Sequence, residues 1–302
     1  MKPIWGIDLG GTKIEAVVLD TDKNYEVISR MRIDTEASHG YEHIVSRILH
    51  LLTLVEKETG LKPHKVGMGT PGAIDPDLGT IKNSNSTALI GKPLKYDLEK
   101  QKGIPFFLAN DANCFALAES KMGAVPERIA NAEVVFGVIM GTGVGGGVVV
   151  NGHVINGRHS IGGEWGHNFL DESGGPCYCG RIGCVEQLLS GPASERYYKN
   201  KTGTFRKLRD IYALSQEGSD PIATETIDRL IHFFGKGLGP IINILDPDAI
   251  VIGGGVGNID RLYTDGVEAV KKYVFNTRME TLFLKPKLGD SAGVFGAAML
   301  VE

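Results

Sequence analysis

Ile4-Trp5-Gly6-Ile7-Asp8-Leu9-Gly10-Gly11-Thr12-Lys13-Ile14-Glu15-Ala16-Val17-Val18-Leu19 is the stretch whose reading decides the fold. Ile4 to Asp8 is a short apolar run ending in an acid, the pattern of a buried strand. Leu9 to Lys13 is a glycine turn. Ile14 to Leu19 is β-branched and apolar, so the chain returns as the second strand of a hairpin. The pattern restarts downstream. Val134 to Met140 reads as a strand and Gly141-Thr142-Gly143-Val144-Gly145-Gly146-Gly147 as a second glycine turn. Val148 to Val150 continues it as a strand, closed by an Asn151-Gly152 hairpin turn. Strand, glycine turn, strand, found twice, is an internal repeat: two copies of one phosphate-gripping unit.

The rest of the chain alternates between helix and strand. Tyr25 to Ile33 reads as a third strand. Tyr41 to Thr59 repeats apolar residues at helical spacing and stops at Gly60. Val66 to Gly69 and Ile104 to Leu108 are strands, and Asn110-Asp111 opens a helix running to about Lys121. Pro221 to Ile244 is a long helix in which Gly235, Gly237, Gly239 and Pro240 predict a kink or break. Ala249 to Ile252 is a strand leading into a third glycine turn at Gly253-Gly254-Gly255. Ile259 to Phe275 reads as a helix, Thr281 to Leu284 as a strand, and Gly293 to Leu300 as a closing helix of small residues.

A chain of 302 residues is long for one core, which points to two domains. Charged residues make up 23%, the formal net charge is −4 and no basic run occurs, which argues against nucleic acid as a partner. No apolar stretch reaches the roughly 20 residues that span a bilayer, and the N-terminus lacks the pattern of a signal peptide. The expected compartment is the cytoplasm, where clustered thiols bind metal more often than they pair as disulfides.

Three motifs can carry chemistry. The first is Asp8 with Gly10, Gly11, Thr12 and Lys13: backbone N–H groups, a hydroxyl and an ammonium in one turn, suited to the terminal phosphates of a nucleotide. Asp8 can hold Mg²⁺ directly or through water. Gly141, Thr142 and Gly143 offer a second set of amides, and Gly254 and Gly255 suit an adenosine passing close by. An ordinary hairpin turn and simple close packing are the bland alternatives. The second motif is Asn110-Asp111-Ala112-Asn113 after an apolar strand. Asp111 there is either a helix cap or a carboxylate that deprotonates a substrate hydroxyl.

The third motif is Gly163 to Glu186, which holds three of the four cysteines. Cys177, Cys179 and Cys184 with His167 can complete a closed tetrahedral zinc site that staples structure. A disulfide would leave one of the three unpaired. Asn85, Asn110, Glu164, His167 and Glu186 are suited to hydrogen bonds with sugar hydroxyls, although each alone more often sits on a solvated surface. Cys114 reads as a small buried residue.

Together, Asp8-Leu9-Gly10-Gly11-Thr12-Lys13, Asn110-Asp111-Ala112-Asn113, Glu164-x-Gly-His167 and Cys177-x-Cys179-Gly-x-x-Gly-Cys184-x-Glu186 resemble the ROK family (repressors, open reading frames, kinases). The match is collinear over essentially the whole chain. The resemblance implies an α/β sugar kinase with two RNase-H-like domains of the actin/hexokinase (ASKHA) type around a central cleft. It implies Asp111 as catalytic base and Mg-ATP as donor to a hexose hydroxyl, most naturally O6. It assigns Asn110, Glu164, His167 and Glu186 to the sugar, and His167, Cys177, Cys179 and Cys184 to structural Zn²⁺. His167 then serves both, one ring nitrogen on the metal and the other on the sugar.

The expected domains are residues 1–113 with 290–302, and residues 114–289 with the zinc motif. The resemblance favours a homodimer. Within the family the motifs resemble manno(fructo)kinases and N-acetylglucosamine kinases, with a fructose- or mannose-type substrate expected and N-acetylglucosamine kinase or glucokinase as alternatives. The segment from Asn168 to Pro176 is shorter than is usual among these relatives, which bears on the choice of sugar. A sugar-sensing repressor would need a helix-turn-helix ahead of the first glycine turn, and no room is available for it before Asp8. An actin-like filament or chaperone ATPase would lack the cysteine cluster.

Overall fold

The computed structural model of the chain describes residues 2–84 and 86–302. Asn85, one of the expected sugar contacts, lies outside the described residues. The regular elements, in chain order, are β1 (Pro3–Leu9), β2 (Lys13–Asp20), β3 (Glu26–Asp34), α1 (Tyr41–Thr59), β4 (Val66–Thr70), β5 (Ala73–Ile74), β6 (Ile81–Lys82), α2 (Leu94–Lys102), β7 (Phe106–Asn110) and α3 (Asp111–Lys121). They continue as β8 (Val134–Met140), β9 (Val144–Val150), β10 (His153–Val154), α4 (Glu186–Leu189), α5 (Gly191–Thr202), α6 (Leu208–Glu217), α7 (Pro221–Leu245), β11 (Ala249–Gly253), α8 (Asp265–Lys271), β12 (Leu282–Leu284) and α9 (Ala292–Met299).

Two five-stranded sheets carry the fold, in the orders β3-β2-β1-β4-β7 and β10-β9-β8-β11-β12. In the first, β2 runs antiparallel to β1 and β3, while β4 is parallel to β1 and to β7. In the second, β11 is parallel to both β8 and β12. The repeat read from the two glycine hairpins is therefore a repeat of whole sheets. In parallel sheets ligands gather at the carboxyl ends of the strands. Those ends align Asp8 with Gly69 and Thr70 with Asn110 in one sheet, and Ile139 with Gly253 in the other.

The chain divides into two compact units. One is Met1–Pro126 with Gly147–Gly163 and Lys287–Glu302; the other is Glu127–Gly146 with Glu164–Pro286. In the first, α1 buries Ile44, Val45, Ile48, Leu51, Leu52 and Val55 in the cluster that also holds Trp5, Ile7, Val18 and Met68. Each such side chain contributes about 1.5–3 kcal/mol on leaving water. Gly60 ends α1 in the left-handed region, at φ 69°, with its N–H on the carbonyl of Glu56.

The small helix α9 lies directly on β1 and β4. A Cβ at Gly67 would come within 1.8 Å of the Ala297 carbonyl oxygen, and one at Gly6 within 2.4 Å of the Ala298 nitrogen. The same helix receives α3, where a Cβ at Gly296 would come within 1.7 Å of the Cys114 carbonyl oxygen. For this reason α3 goes with the first unit, although the boundary expected from sequence, at 113/114, runs through it. The chain returns to the first unit at Lys287 rather than at 290. The fully buried carboxylate of Glu119 accepts the N–H groups of Lys287 (3.0 Å), Leu288 (2.9 Å) and Ala124 (2.8 Å), and so fixes that return.

Several expected elements differ. The second glycine turn is only Gly141 to Gly143. Gly145, Gly146 and Gly147 lie within β9, and a Cβ at Gly147 would meet the Ala112 carbonyl oxygen at 2.5 Å, so glycine serves close approach there rather than turning. The expected break in α7 is absent, and the helix runs unbroken from Pro221 to Leu245. Its glycines admit neighbours instead, with Cβ positions at Gly235 and Gly239 falling 2.6 Å from Ala269 and 2.4 Å from Tyr273. The helix expected over 259–275 resolves into a 3₁₀ turn, Asp260–Tyr263, and the shorter α8. Tyr263 bends back there to donate to the Gly257 carbonyl at 2.9 Å. Strand β7 starts two residues later than expected, at Phe106. No helix among the described residues is long and apolar enough to cross a membrane.

Gly67→Ala is expected to lower unfolding stability by about 2–4 kcal/mol, because backbone must move to admit the methyl group. Gly11→Ala, whose new atom would lie 3.6 Å from its nearest neighbour, should stay near wild type. Denaturant midpoints of the two variants check this, and equal midpoints would contradict the packing described for α9.

Candidate active site

In the first unit the candidate groups lie at the head of β1 and the head of α3. The turn after β1 is tied down from behind. Gly10 donates its N–H to the Lys13 carbonyl at 3.0 Å, and Thr35 donates its N–H to Thr12 and its hydroxyl to Gly10, both at 2.8 Å. Gly11, Thr12 and Lys13 are left exposed. Asp8 sits at the strand end with its carboxylate against bare backbone: a Cβ at Gly293 would meet Oδ2 at 2.8 Å and one at Gly69 would meet Oδ1 at 3.2 Å. Burial pushes the Asp8 carboxyl up to about 6, helped by the negative charges of Asp111 and Glu15 and opposed by Arg32. Glu15 is itself buried and gripped by Arg30 and Arg32.

At the head of α3 the capping duty falls to Asn110. Its side-chain oxygen accepts the Asn113 N–H at 2.8 Å. Asp111 is therefore the first helical residue and not the cap. It reaches solvent, and its Oδ1 accepts the N–H of Ala112 at 2.8 Å. Protein massed around the carboxyl costs the charged form more hydration than that hydrogen bond returns, so its pKa is raised. A carboxylate with a raised pKa is a stronger proton acceptor. Cys114 is fully buried, and its thiol lies well above its ordinary range through burial and the nearby charges of Asp8 and Asp111. It is the inert core residue expected from sequence.

The second unit, taken by itself, holds the cysteine cluster and the two remaining glycine turns. A ring nitrogen of His167 and the three Sγ atoms of Cys177, Cys179 and Cys184 all lie within 4.8 Å of one another. Nδ1 is 3.6 Å from Cys177, and Cys179 is 3.6 Å from Cys184. A tetrahedron with zinc–sulfur bonds of about 2.3 Å has edges of about 3.8 Å, so the four atoms fit Zn²⁺ with little movement. Their chemistry asks for a cation as well. Burial, with the neighbouring thiols, pushes Cys184 up to about 12, while the Arg181 N–H holds Cys179 below its usual range. Protein alone does not support three thiolates at this spacing.

Glu186, two residues after Cys184, turns toward the second glycine turn. Its Oε2 accepts the Val144 N–H at 3.1 Å and would lie 2.6 Å from a Cβ at Gly143. Gly141 accepts from the Gly191 N–H at 2.9 Å, which ties the same turn to the start of α5. Gly254, at φ 79°, follows β11 so tightly that a Cβ would meet the Met140 carbonyl oxygen at 2.3 Å; Gly254 and Gly255 are both exposed. Trp165, buried beside Glu164, donates to the Gly237 carbonyl at 3.3 Å. The segment from Asn168 to Pro176 is pinned: Asp171 caps the Ser173 N–H at 3.0 Å and pairs with Lys236 at 2.8 Å.

A family model for the ROK family matches residues 4–302. The chain belongs to the ROK family. An N-acetyl-D-glucosamine kinase of Vibrio vulnificus (strain YJ016) is 35% identical over 306 residues, which cover 98% of each chain. Among solved structures, a ROK hexokinase from Thermus thermophilus superposes with a TM-score of 0.88 at 33% identity, covering 99% of this chain and 97% of that one. A ROK glucokinase from Streptomyces griseus, in complex with glucose and AMPPNP, superposes with 0.75 at 28% identity over 99% of both. This ROK protein is a sugar kinase.

Sequence reading missed some parts of the site. Gly69 and Gly293 make room for the Asp8 carboxylate, and a glycine inside the β4 run was the available signal. The Glu15 pairing with Arg30 and Arg32 alternates along two strands that only pairing brings together. Tyr178 stands between two of the cysteines, and its hydroxyl lies 2.9 Å from the His167 Nε2.

Metal analysis of the purified protein is expected to find one zinc per chain and none in Cys179→Ser; a metal-free wild-type protein would refute the clip. Asp8 generates a second test. Its raised pKa means that the folded protein holds this proton more tightly than the unfolded chain does. Its contribution is favourable below about pH 4 and is lost as pH rises through about 6. Without Mg²⁺ at pH 7.5, Asp8→Asn is therefore expected to be more stable than wild type by on the order of 1–3 kcal/mol. The gap should close toward about pH 4. Melting curves across pH check the sign.

Proposed function

We propose that this ROK protein transfers the γ-phosphoryl group of ATP to the 6-hydroxyl of a hexose. The observation that carries the reading is the division of labour at the head of α3. Asn110 caps the helix, so Asp111, with its raised pKa, is not needed as the cap and takes the proton of the attacking hydroxyl. As that proton moves to Asp111, the sugar oxygen bonds to the γ-phosphorus, the bridging P–O bond breaks, and ADP leaves. No covalent enzyme intermediate is needed.

The remaining roles follow from chemistry. Asp8 would hold Mg²⁺, which supplies positive charge for the phosphates and would relieve the cost of burying that carboxylate. Gly10, Gly11, Thr12 and Lys13, and Gly141, Thr142 and Gly143, offer N–H groups, hydroxyls and one ammonium to phosphate oxygens. Gly254 and Gly255 face the adenosine. Asn85, Asn110, Glu164, His167 and Glu186 bind sugar hydroxyls. Zn²⁺ on His167, Cys177, Cys179 and Cys184 is structural and orients the His167 ring. A cytoplasmic homodimer completes the reading, supported by the reduced cysteine cluster and the family.

The motifs favour fructose or mannose, but the relatives carry the names N-acetyl-D-glucosamine kinase, hexokinase and glucokinase. Their identity extends over nearly the whole chain, so we rank N-acetylglucosamine first, then glucose and mannose, with fructose last. A coupled assay over those four sugars tests the order. Asp111→Ala is expected to lower kcat by at least about 10³-fold while leaving the affinity for a non-hydrolysable ATP analogue nearly unchanged. Substantial residual turnover would remove Asp111 from the role of base. ATP hydrolysis equally fast without any hexose would overturn the kinase reading.

A further inference from the structure

We propose that Tyr178 is a placeholder in the sugar subsite: in the absence of sugar its hydroxyl occupies the position on His167 Nε2 that a sugar hydroxyl takes, and sugar binding displaces it. The proposal rests on the reading that His167 binds sugar. It starts from the two nitrogens of one ring. Nδ1 is turned toward the cysteine sulfurs, 3.6 Å from Cys177. Only Nε2 is left for a ligand, and Tyr178 Oη already holds it at 2.9 Å. The two rings meet edge to face, with centroids 5.1 Å apart. With Nδ1 on a metal, Nε2 must carry the proton and donate it. The partner it needs is a hydroxyl oxygen, which both tyrosine and a sugar provide.

The surroundings fit the same role. Tyr178 lies between two of the cluster's cysteines, and Glu186 follows the third by two residues. The Tyr178 backbone is fixed by the turn between Cys177 and Cys179, where Gly180 donates to the Cys177 carbonyl at 3.0 Å. The side chain itself is 76% exposed. Little apolar burial opposes its departure, and exchanging one hydroxyl for another leaves the count of hydrogen bonds unchanged. Tyr178 keeps the histidine satisfied and oriented until substrate arrives, and every sugar must compete with it.

The test compares wild type with Tyr178→Phe as zinc-loaded protein, which keeps the ring and removes the competing hydroxyl. The KM for the sugar is expected to fall about two- to tenfold, with kcat, the KM for ATP and the zinc content unchanged. A KM that stays the same or rises overturns the proposal, since a tyrosine that helps to bind sugar, or only supports the fold, would give that result. The second measurement is the His167 Nε2 resonance in ¹⁵N-histidine-labelled, sugar-free protein. It should move in Tyr178→Phe, and an unmoved resonance also overturns the proposal. A wild-type protein that phosphorylates none of the sugars would instead defeat the kinase reading, and the resonance then decides on the tyrosine contact by itself.

Discussion

The first unit depends on how near α9 can come to the sheet. Its Ala297 carbonyl and Ala298 nitrogen lie where side chains of Gly67 and Gly6 would stand. Only glycine permits such an approach. The electrostatics of the site follow from it. Gly293, on the same helix, lets the Asp8 carboxylate rest against backbone, and that burial lifts its pKa to about 6. Gly296 lets α3 settle on α9 and so sets Asp111 beside Asp8 closely enough for the two charges to oppose each other. Such a pairing of acids, with Asp8 largely withdrawn from water and Asp111 reaching solvent, is unfavourable by itself. It makes sense where a divalent cation and a substrate proton are to be received.

The second unit depends on the cysteine cluster. Cys184 and Glu186 are two residues apart, so whatever fixes the sulfur also fixes the carboxylate that holds the Val144 N–H. Through that bond the cluster reaches the second glycine turn. His167 joins the cluster by one nitrogen and a hydroxyl by the other. A zinc ion held by the cluster would in this way fix His167 and the second glycine turn together.

Much of this was legible in the residues. The Tyr41–Thr59 helix, the first glycine hairpin and the Val134–Met140 strand were read at or near their observed bounds, because their apolar periodicity is strong. The cysteine spacing identified the four groups that do converge. The failures share a cause. The Gly145–Gly147 run was read as turn, and the glycines of α7 as a break. In both places glycine marks a neighbour's close approach, and a one-dimensional sequence does not say where neighbours lie. Whether Asp111 caps α3 was likewise undecided until the hydrogen bond from Asn113 showed Asn110 to be the cap.

The sequence by itself determined the repeat, the alternation of helix and strand, the donor set of the cluster and the family, because periodicity, spacing and ligand chemistry are written residue by residue. Only the tertiary structure decided which glycines turn the chain and which admit a partner. It also decided that α3 belongs with α9, that Asp8 is buried beside Asp111, and that Tyr178 reaches the far side of His167. Each of these depends on distances between residues remote in the chain, and such distances exist only once the sheets have formed and the helices have packed on them.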